Sequence, residues 1–124
     1  MQYALYGVVA LGGALGALGR YVLSTWIANR GNYLFPWGTF VVNILGCFLL
    51  GLIYVLGTEK LLINPQLRSM ITVGFLGAFT TFSTFSLEAF NLLRNGEVIM
   101  ALLYIFGSIA VGLIGVWLGI IVGN

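Results

Sequence analysis

The sequence predicts an all-α integral membrane protein of four spanning helices, and three observations carry that reading. Of 124 residues, 60% are hydrophobic and 6% charged. A soluble domain carries about 25% charged residues, so water is not the solvent for most of this surface. Apolar stretches near the roughly 20 residues a spanning helix needs recur at residues 3–28, 35–56, 68–93 and 98–122. The connections between them are short and polar, so residues 1–124 form a single four-helix domain.

Composition also excludes function classes. There is no His, and Cys47 is the one cysteine, so a transition-metal centre and an internal disulfide are both excluded. Glu59, Glu88 and Glu97 are scattered and offer no acid/base pair, and no Ser-His-Asp or Cys-His set is available. The chain is therefore not expected to be an enzyme. A net charge of +2 is too small for a nucleic-acid partner.

The first stretch, Tyr3 to Ala28, opens without the positive n-region of a signal peptide, so a retained helix is expected. Gly12 and Gly16 form a GxxxG packing face. The glycines do not spell G-x-G-x-x-G and follow no strand, so they are no dinucleotide loop. Arg20 has two readings: a side chain snorkelling to the headgroups, or a cation at a pore mouth that concentrates anions.

Asn29 to Tyr33 is a polar turn. Pro36 suits a first helical turn, and Tyr33 and Trp37 suit an interfacial belt. The second stretch holds one strongly polar side chain at depth, Asn43, which shares a helix face with Thr39 and Gly46. It serves either as helix–helix glue or as a donor lining a pore. The fourth stretch, about 37 Å long as a helix, carries Tyr104, Ser108, Gly112, Gly115 and Gly119 along one stripe. The glycines read as packing.

The third stretch is unlike a plain anchor. Within GFLGAFTTFSTFSLEAF, Gly74 to Phe90, it carries the hydroxyls of Thr80, Thr81, Ser83, Thr84 and Ser86. Gly74, Gly77 and the β-branched Thr80 and Thr81 weaken helix continuity. A break there frees carbonyls in mid-bilayer that need partners, such as a cation or protein hydroxyls. Phe82 and Phe85 share a helix face. Aromatic edges are positive, so a small anion could rest against them, with the hydroxyls and the Asn43 amide replacing its water. Packing is the ordinary role of such rings. Glu88 is a carboxylate within a span, a functional candidate by default.

Loop charges give almost no orientation signal. Lys60 and Arg68 fall on one side and Arg30 and Arg94 on the other, with Arg20 near the end of the first stretch. A chain without preferred topology can insert both ways and pair antiparallel. Four thin, glycine-rich helices do not easily enclose a polar path alone, so an oligomer is expected.

The segment GFLGAFTTFSTFSLE closely resembles the third-helix signature of the Fluc (CrcB-type) fluoride channels of microbes. GGALGALGRY resembles that family's first helix and GTFVVNILGCFLLG its second, so the resemblance runs over the whole chain. It implies a passive, selective fluoride channel that exports cytoplasmic fluoride across the bacterial inner (plasma) membrane. It also implies an antiparallel, dual-topology homodimer with a broken third helix and two pores. Phe82 and Phe85 would be the pore-facing rings and Asn43 the amide beside them. Ser83, Thr84, Ser86, Glu88, Tyr104 and Ser108 would join the polar track, and Arg20 would lie near the aqueous vestibule. Backbone carbonyls from Gly77 to Thr80 would hold a structural sodium ion at the dimer centre. Some members carry another hydroxyl where this chain has Gly112, so the implied track is not carried past Ser108. A rival class, the small multidrug proton-coupled antiporters, is also four-helical and dual-topology. That chemistry wants a deep carboxylate in the first helix, and none is present.

Overall fold

The computed structural model describes residues 2–124. Helix α1 spans Gln2–Ala28. Helix α2 spans Trp37–Ile53 and continues as a π-helical stretch, Tyr54–Glu59. The next run comprises α3 (Pro65–Ser69), a π-helical stretch (Met70–Leu76), α4 (Gly77–Phe79) and α5 (Phe82–Arg94). Helix α6 spans Val98–Gly123. Four helical runs, Gln2–Ala28, Trp37–Glu59, Pro65–Arg94 and Val98–Gly123, are long and apolar enough to cross a membrane.

The element boundaries follow from local chemistry. Pro36, at φ −79° and ψ 72°, sits in an inverse γ-turn in which Trp37 N–H donates to the Phe35 carbonyl at 2.8 Å. The second helix therefore starts at Trp37 and not at position 35. The Phe35 ring turns instead onto Trp37 and Tyr104, with centroids at 4.5 and 5.3 Å. The third run starts at Pro65 because Asn64 Oδ1 accepts the Leu67 N–H at 2.8 Å and the proline occupies the first turn. Arg68 Nη1 donates to the Gly57 carbonyl at 3.2 Å and closes that hairpin. Gly96, at φ +82°, ends α5 with Glu97 N–H on the Leu92 carbonyl and Gly96 N–H on the Leu93 carbonyl. That is a Schellman arrangement, and its left-handed position suits glycine.

Lipid tails are as apolar as leucine, so helices in a bilayer associate through close contact instead of escape from water. Here α1 lies on the third run and α2 on α6. Gly12 and Gly16 are buried where α1 meets the carbonyls of Met70 and Phe75, and a Cβ at Gly16 would collide with the Phe75 carbonyl. Gly119 lets α6 approach the Phe48 carbonyl of α2 in the same way. A small aromatic core of Tyr104, Ala101, Ala89 and Leu92 ties α5 to α6, with Phe35, Phe40 and Phe85 against it.

Gly16→Ala is expected to destabilise the fold by about 1–3 kcal/mol through overpacking. Gly7→Ala, where nothing lies within 4 Å of the added methyl, is expected to be neutral or to stabilise by up to about 1 kcal/mol through helix propensity. Thermal unfolding in detergent checks both, and equal midpoints for the two variants would contradict the packing assignment.

Candidate functional site

The site is built around two residues that leave the helix. Thr80 (φ −92°, ψ 157°) and Thr81 (φ −148°, ψ 122°) are extended and separate α4 from α5. Peptide groups on both sides of the junction lose their helical partners, among them the Gly77 and Ala78 carbonyls and the Thr81 and Thr84 N–H groups. In hydrocarbon each such loss costs several kcal/mol unless the protein replaces it.

The replacements come from side chains. Asn43 Oδ1 accepts the Thr81 N–H at 2.8 Å, and Asn43 Nδ2 donates to the Thr81 carbonyl at 3.1 Å. The amide thus clasps both polar groups of one residue, which fixes its orientation and leaves one Nδ2 hydrogen unused. Thr81 Oγ1 accepts the Thr84 N–H at 3.2 Å and caps α5. Thr80 Oγ1 donates to the Leu76 carbonyl at 2.9 Å. Its methyl fills the space over Gly46, where a Cβ would collide with Thr80 Cγ2. Arg20 Nε donates to the Ala78 carbonyl at 2.9 Å.

Two grooves flank this junction. One, of about 380 Å³, is lined by residues including Asn43, Gly77, Thr80, Phe82, Phe85 and Ser108. The other, of about 400 Å³, is lined by polar groups including Ser24, Asn32, Thr39, Thr84 and Glu88. Asn43 and Thr39 share a face of α2, one in each groove. Phe85, which lines the first groove, is half-buried, with its ring on Tyr104 at 4.9 Å between centroids. Tyr104 is fully buried and donates its hydroxyl to Glu88 Oε1 at 2.9 Å.

Phe82 is 80% exposed although it borders the groove, with its centroid 5.9 Å from that of Phe85. Ser108 Oγ is buried without a hydrogen-bond partner among the described residues. Such an orphan hydroxyl costs about 1–3 kcal/mol.

The structure brings together Asn43, Phe82, Phe85 and Ser108 in one groove, and Thr84 and Glu88 in the other, linked to Tyr104. It does not bring in Ser83 or Ser86, which are exposed and line neither groove. Arg20 also lines neither. Gly77 is helical, and the N–H that would serve its carbonyl in a continued helix, that of Thr81, goes to Asn43. Gly112 faces Cys47, whose Sγ would lie 3.4 Å from a Cβ there. Thr39 was not among the candidates, yet it is buried beside Glu88. Its place one helical turn from Asn43 is the signal that finds it. The sequence points to freed carbonyls at the break, but nothing in it pairs the Ala78 carbonyl with Arg20.

Comparison with known proteins adds the relationship. A protein from Hahella chejuensis, named fluoride-specific ion channel FluC, is 54% identical over 90% of this chain and 88% of its own length. Its namesake from Geotalea uraniireducens is 48% identical over 100% of this chain and 98% of its own. The one from Acidobacterium capsulatum is 47% identical over 94% and 93%. The sequence profile described as CrcB-like protein, Camphor Resistance (CrcB), matches residues 7–120, and the chain belongs to that family.

Proposed function

We propose that this chain is a passive, selective fluoride channel that exports the anion from the cytoplasm across the bacterial plasma membrane. The observation that carries the reading is the Phe82 ring, 80% exposed beside the Asn43 amide and the orphaned Ser108 hydroxyl. Fluoride is small and strongly hydrated, so a path for it must replace water donor by donor. The unused Nδ2 hydrogen of Asn43, the Ser108 hydroxyl and the positive edges of Phe82 and Phe85 are weak donors suited to passing an anion on instead of trapping it. The relatives' names support fluoride as the ion. The antiporter reading gains nothing, because α1 carries no carboxylate.

The pore is completed by a second copy in antiparallel orientation. Support comes from the exposed aromatic face and from loop charges that favour neither orientation. The third span acts as a broken helix, with its interruption at Thr80 and Thr81 on the path. The donor set also fits a structural sodium ion. The Gly77 carbonyl lacks its helical N–H, Thr80 lies in the extended stretch, and carbonyl oxygens are ligands for a hard cation. Bound there, sodium would offset the dipoles of the carbonyls left without helical N–H partners.

Purified protein in liposomes is expected to release fluoride, read with a fluoride electrode, and to retain chloride. Sealed fluoride would refute the channel, and comparable chloride release would refute its selectivity. Phe82→Ile removes the ring edge and keeps an apolar side chain. Efflux is expected to fall by about a hundredfold, as for loss of a few kcal/mol, while the dimer stays assembled by cross-linking. Wild-type efflux from this variant would exclude the ring. Replacing sodium by a larger alkali cation during purification is expected to lower fluoride efflux, and unchanged efflux would remove sodium from the account.

A further inference from the structure

Arg20 stands on the face of α1 that also carries Gly12 and Gly16, one helical turn apart. Those glycines bring α1 against the backbone of Met70 and Phe75. The approach puts the half-buried Arg20 within reach of the third run, and its Nε–H meets the Ala78 carbonyl at 2.9 Å. In an unbroken helix that carbonyl would accept the Phe82 N–H. The extended Thr80 and Thr81 carry Phe82 away, so the carbonyl is freed by the same interruption that Asn43 clasps from the other side. A charge-assisted bond is about twice as strong as a neutral one. Arg20 also lines neither groove.

We propose that Arg20 is a positioning residue: it caps the Ala78 carbonyl and so holds the Thr80–Thr81 interruption in shape, instead of gathering anions at a pore mouth. It acts on conduction through the backbone it holds. In that respect it rests on the channel reading, whereas the capping itself does not.

Three substitutions separate donor from charge. Arg20→Gln keeps a nitrogen donor on the atom after Cδ, where arginine has Nε, and removes the charge. Arg20→Lys keeps the charge and places a methylene there. Arg20→Met keeps neither. Two measurements are made on the full-length protein in lipid: hydrogen exchange at the Thr80 and Thr81 amides, and fluoride efflux. For Arg20→Gln both are expected within about threefold of wild type. For Arg20→Lys and Arg20→Met, exchange is expected to rise by about tenfold or more, as for loss of a hydrogen bond to a charged group, with efflux falling in step.

Exchange in Arg20→Lys like wild type, or in Arg20→Gln like Arg20→Met, overturns the proposal. Efflux kept by Lys and lost by Gln returns Arg20 to anion gathering and also overturns it. Exchange needs no fluoride. Wild-type protein that releases none would therefore remove the channel reading while the exchange comparison still decides the cap.

Discussion

Peptide groups set loose inside hydrocarbon must find partners within the protein, and the structure turns on how that demand is met at Thr80 and Thr81. Asn43 answers it from α2 with both ends of its amide, and Arg20 answers it from α1 with a charged donor. Thr80 and Thr81 contribute their own hydroxyls, one folded back on Leu76 and one capping α5. Asn43, Arg20, Thr80 and Thr81 thus serve the backbone first, whatever donors remain.

That arrangement depends on helices lying unusually close together. Neither Asn43 nor Arg20 could reach the third run across an ordinary layer of leucines. Gly16 against the Phe75 carbonyl and Gly46 against the Thr80 methyl remove that layer at the points that matter. Small residues serve here as spacers for hydrogen bonds, so packing and polar satisfaction are a single design. A side chain added at these glycines would disturb the junction as well as the interface.

The chemistry left over lies on the two sides of α5. Phe82 and Phe85 face the groove with Asn43 and Ser108, while Thr84 and Glu88 face the groove with Thr39. Tyr104 joins the sides, packing on Phe85 and donating to Glu88. A helix displays different chemistry at neighbouring positions, so one short segment lines two grooves. The exposed Phe82 ring and the unpartnered Ser108 hydroxyl both lie on the apolar side.

The sequence by itself determined the solvent, the helix class and the neighbourhood of the site. Sparse charge and four long apolar stretches specify membrane helices directly, because the cost of a charge in hydrocarbon acts residue by residue. Asn43, Phe82, Phe85 and Ser108 were legible because polar or aromatic side chains at helical spacing stand out against an apolar background. Only the tertiary structure decided which of the hydroxyls share a groove. It leaves Ser83 and Ser86 outside both, a matter of how α5 is rotated by its contacts with α6, and rotation is not written in composition. It also decided that Arg20 ends on a backbone carbonyl. That contact requires the distance between α1 and the third run, and separations between helices arise from packing across the whole bundle instead of from any local run of residues.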